Sequence, residues 1–213
     1  MLTKIEPSLE PGQLVFVLGG GPSVTEEAVK KISDYFIIGT NGAVIFKDWV
    51  DLVYFGDLRF YKWAQEYIDE FPGRVITACN KDTFKDHAKV EVLKKYEHLD
   101  HPICWDKEKI CWPTNKGHNT GATAIALACK LGAKNIVLYG FDFQTKKERH
   151  NYHYLSEAHH TPRKDIYQRF YPHFEAIKKK ADQKGICIRN ATPETKLDLF
   201  PKVALDEVLD EKT

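Results

Sequence analysis

Short apolar runs rich in β-branched and aromatic residues alternate along this chain with stretches whose apolar positions recur at helical spacing. The first run, Val15-Phe16-Val17-Leu18, leads straight into Gly19-Gly20-Gly21-Pro22-Ser23. Residues 25–31 then read as a short amphipathic helix opened by Thr25 and the Glu26/Glu27 pair. Strands are predicted at 35–39, ending in Thr40-Asn41-Gly42, and at 52–55, ending in Gly56-Asp57. An aromatic helix over 60–71 is closed by Pro72-Gly73, and a further strand covers 74–78. From Asn119 the pattern sharpens. Residues 120–131 form a helix of small residues ended by Gly132, 135–141 a buried strand, and 163–184 a long helix with Ile166, Phe170, Phe174 and Ile177 on one face. A last strand at 185–188 and a closing helix at 201–209 complete the series.

Strand followed by helix, repeated without internal repeat or linker, predicts one α/β domain over residues 1–213. Residues 1–13, polar with Pro7 and Pro11, read as an irregular lead-in. Residues 80–118 read as an insertion, a helix plus a loop or short hairpin, and the polar, histidine-rich residues 144–162 as a lid loop.

Composition narrows the picture. A net charge of +1 removes any global electrostatic argument for nucleic acid or a membrane surface, although a local basic patch stays compatible with it. No apolar run is long enough to span a bilayer, and the first residues lack a signal-peptide core. The five cysteines are scattered, mostly in apolar contexts, as expected of reduced, buried thiols. A cytoplasmic enzyme is the expectation, and a homo-oligomer is compatible with it.

Candidate chemistry collects at predicted strand ends, where α/β sheets place ligands. Gly19, Gly20 and Gly21 let the backbone approach a phosphate, and Ser23 or Thr25 is suited to cap the following helix while offering a hydroxyl; a plain βα turn that binds nothing has the same composition. The Lys of a P-loop is absent and the spacing differs from the dinucleotide fingerprint. The run from His150 through His153 to His159 and His160 gives the lid a supply of imidazoles that titrate near neutral pH and serve general acid–base chemistry. Asp142, just past the strand at 135–141, is a further candidate as a ribose or metal partner, or a simple loop residue. The set His98, His101, Cys104, Cys111 carries ligand types, but its Cys-x6-Cys spacing is not that of a zinc ribbon or finger, and no metal site is assigned.

Taken in order, Leu18-Gly19-Gly20-Gly21-Pro22-Ser23, Thr40-Asn41-Gly42, Thr120-Gly121-x-x-x-Ile125-Ala126 and the Leu131-Gly132 to Asp142-Phe143 stretch resemble the family 42 sialyltransferases. They are similar also to the related 6-hydroxymethylpterin diphosphokinase-like proteins. The resemblance covers roughly residues 14–60 and 117–200. It implies a Rossmann-like, mostly parallel sheet with helices on both faces, a bound nucleotide or diphosphate, and a transfer reaction. By that resemblance Gly19 to Ser23 hold the donor phosphate, Asn41 the nucleotide, and Thr120 and Gly121 line the donor site. His160 falls where the sialyltransferases place their catalytic histidine, with His159 beside it. Gln144 and His150 stand where those enzymes carry tyrosines that steady the leaving phosphate, and Gly20 stands where they carry an asparagine. Gly56 and Asp57 are closer to the diphosphokinase-like branch, in which an acidic residue sits near the phosphates.

The expectation is therefore a nucleotide-dependent transferase with no tightly bound cofactor. Three forms are carried forward: a glycosyltransferase moving a sugar from a nucleotide-activated donor to an acceptor hydroxyl with His160 as base; a Mg²⁺-dependent pyrophosphokinase with Asp57 and Asp142 holding the ion; and a non-catalytic nucleotide-binding or assembly protein that keeps the fold alone.

Overall fold

Runs that are apolar on both sides of the pleat belong to strands covered on both faces, and that is where they lie. The computed structural model describes residues 2–3, 5–93, 95–98, 110–113, 119–144 and 166–211. Its eight-stranded main sheet contains β1 (Leu2–Thr3), β2 (Leu14–Leu18), β3 (Phe36–Thr40), β4 (Leu52–Phe55), β5 (Arg74–Thr77) and β6 (Val90–Leu93). A separate parallel pair is formed by β7 (Lys95–His98) and β8 (Ile110–Pro113), and β9 (Asn135–Tyr139) and β10 (Cys187–Asn190) return to the main sheet. The order is β1-β6-β5-β4-β3-β2-β9-β10, and every neighbouring pair is parallel.

Alternation along β2 divides the core. Val15 and Val17 face the layer containing helices α3 (Thr120–Leu131) and α4 (Ile166–Gln183), with Ile38, Ile76, Ile136 and Leu138. Phe16 and Leu18 face the other layer, covered by α1 (Glu26–Lys31), α2 (Leu58–Glu70) and α5 (Leu205–Asp210) through Val29, Phe60, Ile68 and Val208. The result is a single α/β domain with helices on both faces, as the sequence predicts. Among the described residues no helix is long and apolar enough to cross a membrane.

Several boundaries differ for local reasons. The predicted irregular lead-in contributes β1, paired through Leu2 and Thr3 with Val92 and Leu93, so part of the expected insertion at 80–118 joins the main sheet as β6. Where β7 and β8 lie, a parallel ladder replaces the expected short hairpin. The strand predicted to 141 stops at Tyr139 because Gly140 takes a left-handed φ of 79°. Gly185, at φ 62°, ends α4 instead of opening a strand, and β10 starts at Cys187. The closing helix begins at Leu205 because Asn190 pairs with the backbone of Pro201 and Val203 and keeps that segment extended. Of the described thiols, Cys129 is buried and pushed up to about 12 by desolvation, but Cys187 is exposed, unlike the expected buried thiols.

Candidate functional site

From β2 the chain builds outward through β3, β4, β5 and β6, then crosses back to place β9 on the other side of β2. The direction of winding reverses between β2 and β9, and in open parallel sheets the crevice beyond such a reversal is where ligands bind. Two turns meet there: 19–23 after β2 and 140–144 after β9.

They meet very closely. The Gly19 amide donates to Tyr139 O at 2.7 Å and the Gly21 amide to Gly140 O at 2.9 Å. Asp142 is only 5% exposed and turns its carboxylate onto Ser23, whose amide donates to Oδ1 at 3.1 Å and whose hydroxyl donates to Oδ2 at 2.8 Å. A Cβ on Gly19 would lie 2.4 Å from Gly140 O, and one on Gly21 would lie 1.9 Å from Asp142 Oδ2. Neither glycine has a positive φ; what each supplies is the absence of a side chain. The turn expected to cradle a phosphate thus has the Gly19 amide committed to the end of β9 and the amides of Gly21 and Ser23 committed to the turn that follows it. Thr25 caps α1 by accepting from the Ala28 amide at 3.2 Å.

The other candidates sort themselves by strand. Thr40 ties the end of β3 to β2 by donating its hydroxyl to Leu18 O at 3.0 Å. Asn41, buried and left-handed at φ 47°, follows directly and opens a 3-10 turn over Asn41–Phe46. Asn119 caps α3, its side chain accepting from the Ala122 amide at 2.7 Å, and so aims the first turn of that helix, Thr120 and Gly121, at the sheet edge. Phe141 packs so near that a Cβ on Gly121 would lie 2.8 Å from its ring. The 19–23 turn, Asp142, Asn41 and the start of α3 are therefore grouped at one edge.

Gly56 and Asp57 are not part of that group. They follow β4, and β2 and β3 stand between β4 and β9. At a strand spacing of about 4.8 Å, the backbones carrying Asp57 and Asp142 are about 14 Å apart across the sheet. One Mg²⁺ holds its oxygens at about 2.1 Å, so the two carboxylates do not share an ion as the pyrophosphokinase form expects. Asp57 instead caps α2 through the Arg59 amide at 2.8 Å and pairs with the Arg59 guanidinium at 2.8 Å. Among the described residues no group of three or more His, Cys, Asp or Glu side chains is gathered for a metal. Gln144 is engaged elsewhere too, since its side-chain amide donates to Glu194 O at 2.5 Å and joins the β9 turn to the loop after β10. His150, His159, His160 and Cys104 lie outside the described residues, as does the Cys111 side chain.

Two groups of residues escaped the sequence reading. Tyr139 and Tyr167 flank Asp142. Burial, and then the Asp142 charge, raises both phenols, Tyr167 to about 12, so both stay protonated hydrogen-bond donors at neutral pH. Tyr167, one residue into α4, also rests on Phe143 with ring centroids 5.4 Å apart. Phe143 is itself left-handed at φ 55°, a conformation that costs a bulky residue free energy and that clusters near functional sites. The second group, Asn190, Thr192 and Thr195, is a buried polar network behind the β9 turn. Its only sequence signal is the run Asn190-Ala191-Thr192-Pro193-Glu194-Thr195, polar residues directly after a final strand.

No protein-family model matches the sequence, and no curated protein matches it. Among solved structures, the sialyltransferase CstII from Campylobacter jejuni in complex with CMP-3FNeuAc is similar over 90% of this chain and 86% of that chain, with 13% identity and a TM-score of 0.52. The same enzyme in complex with cytidine-5'-monophosphate is similar over 89% and 84%, with 13% identity and a TM-score of 0.49. The likeness is one of fold. It agrees with the Rossmann-like architecture implied by the sequence resemblance.

Proposed function

We propose that this chain is a nucleotide-dependent transferase of the glycosyltransferase type, taking a sugar from a nucleotide-activated donor to an acceptor hydroxyl. The observation that carries the reading is the grouping of the 19–23 turn, Asp142, Asn41 and the start of α3 at the reversal of an all-parallel sheet. The fold shared with an enzyme solved with a cytidine nucleotide supports it.

With the Gly19, Gly21 and Ser23 amides committed to β9 and the turn after it, the donor phosphate belongs on the first turn of α3. Thr120 and Gly121 lie there in the positive end of a 12-residue helix, where backbone N–H groups lack intrahelical partners. Asn41 lies on the nucleoside side. Asp142 holds the crevice wall, the Tyr139 hydroxyl braces it by donating to Ser23 O at 3.4 Å, and the protonated phenol of Tyr167 offers a donor near a leaving phosphate. His160 takes the proton of the acceptor hydroxyl as the nucleotide departs, and its neutral form near pH 7 suits that role.

The test is a thermal-shift series with CMP, UDP and ATP, with and without Mg²⁺, followed by turnover of the matching nucleotide sugar. A nucleotide present at about a hundredfold over its Kd should add roughly 2.7 kcal/mol. His160→Ala should lower turnover about 10²-fold or more with donor affinity preserved, and His159→Ala should be several-fold milder. Stabilisation by ATP alone, and only with Mg²⁺, would overturn the glycosyltransferase assignment in favour of pyrophosphoryl transfer.

A further inference from the structure

Past Tyr139 the β9 ladder ends, and the polar groups of Phe141 lose the strand neighbour that would have paired with them. Side-chain hydroxyls take its place. The Phe141 amide donates to Thr192 Oγ1 at 2.9 Å, and the Phe141 carbonyl accepts from Thr195 Oγ1 at 2.6 Å. One residue on, the Asp142 carbonyl accepts from the Lys196 amide at 2.8 Å.

Thr195 is the hub. The residue is 2% exposed, and its hydroxyl donates to Phe141 O and accepts from the Leu197 amide at 3.0 Å and from Asn190 Nδ2 at 3.3 Å. Asn190, fully buried, braces the same loop by accepting from the Thr192 amide at 3.0 Å. The loop carbonyl at Thr195 accepts from Lys202 Nζ at 3.1 Å. A run of bonds thus leads from Thr195 through Phe141 to Asp142 and from its carboxylate to Ser23.

We propose that Thr195 is a positioning residue for the candidate site: by holding Phe141 it sets where the Asp142 carboxylate meets Ser23, and so fixes the wall of the nucleotide crevice. Thr192 holds the same residue from its amide side. The inference rests on the nucleotide-crevice reading for its functional meaning, but the coupling from Thr195 to the 19–23 turn is measurable without any nucleotide.

The experiment compares Thr195→Val, Thr195→Ser and Thr192→Val by site-resolved amide hydrogen exchange in the free protein, then by CMP affinity. In Thr195→Val, exchange at Gly21 and Ser23 should rise about tenfold or more while the amides of β3 and β4 hold their protection. Thr195→Ser keeps the hydroxyl and should restore wild-type exchange. Weakening of CMP binding by about fivefold or more in Thr195→Val, again rescued by serine, is the expected functional readout. A merely structural role would loosen residues 190–197 and leave Gly21 and Ser23 unchanged. That result in a folded Thr195→Val protein overturns the proposal. Should that variant not fold, Thr192→Val removes only the partner of the Phe141 amide and is judged by the same exchange at Gly21 and Ser23. If wild-type protein binds no CMP, the choice of nucleotide fails, and the exchange measurement alone still decides the positioning role.

Discussion

Placing a methyl group on Gly21 tests whether the glycine turn is shaped around Asp142. Because Gly21 does not adopt a positive φ, Gly21→Ala adds no backbone strain of its own, and its whole effect comes from where the new Cβ falls. That atom would lie 1.9 Å from Asp142 Oδ2, 2.7 Å from its Cγ and 2.6 Å from Gly140 O. Ordinary contact begins near 3.5 Å, so the carboxylate must retreat by about 1.5 Å. Bonds of 2.8 and 3.1 Å from Ser23 do not survive such a shift. Hydrogen bonds to a charged group are worth about 1.5–3 kcal/mol each; with water able to replace part of the pair at half-buried Ser23, a total loss of about 3 kcal/mol is expected.

Asp142→Ala should cost about 2 kcal/mol by removing the same bonds, but it also removes the two carboxylate atoms the new methyl would strike. The close approach to Gly140 O is the same in the single and the double variant and drops out of the comparison. The double variant should therefore lie about 2 kcal/mol below the sum of the singles. Urea unfolding followed by circular dichroism and by tryptophan fluorescence gives the three stabilities, provided the two transitions coincide. Additivity within about 0.5 kcal/mol would refute the reasoning, since it would mean that the turn and the carboxylate do not press on one another.

Other expectations follow from single side chains. Tyr54 is fully buried on β4 with its hydroxyl directed toward Thr123 but not aligned in a hydrogen bond, and desolvation pushes the phenol well above its usual value. Tyr54→Phe should thus be neutral or stabilising by about 1 kcal/mol in urea, where loss of a paired hydroxyl would cost a similar amount. Below pH 10 the phenol is neutral whether folded or unfolded; above it only the unfolded chain ionises, so stability falls as pH rises, by about 1.4 kcal/mol per unit for each such tyrosine. Tyr54→Phe should flatten that alkaline slope, and an unchanged slope would count against the burial. Asp57→Ala should cost about 1 kcal/mol through the lost α2 cap, while nucleotide affinity stays within about twofold with or without Mg²⁺. A Mg²⁺-dependent loss beyond tenfold would instead return Asp57 to the phosphates.

The strands and helices were legible because their burial has a period. Val15 to Leu18 is apolar on both sides and lies at the centre of the sheet, and the small residues of α3 announce a helix packed close to it. β6 was not legible: Val90-Glu91-Val92-Leu93 is short, follows a charged stretch, and gains its place only by pairing with β5 and with Leu2–Thr3 far away in sequence. The network at Asn190, Thr192 and Thr195 was hidden for a related reason. Asn, Thr and Pro are loop formers, and nothing local distinguishes a loop facing water from one whose hydroxyls complete a neighbouring turn.

The glycine turn shows where composition stops informing. A cluster of glycines after a strand states that side chains are absent, not what comes close in their absence. A phosphate and a second backbone turn impose the same demand at Gly19 and Gly21, and the carboxylate that lies over Gly21 belongs to a residue far along the chain. Once Asp142 occupies that position, a second anion brought to the same amides would meet a carboxylate with little water to screen it. The amides that open α3 also suit a phosphate, beside Gly121, whose own lack of a side chain admits the Phe141 ring. We propose on this ground that the donor phosphate is displaced from the motif that draws attention to it, with Asp142 the residue that accounts for the displacement.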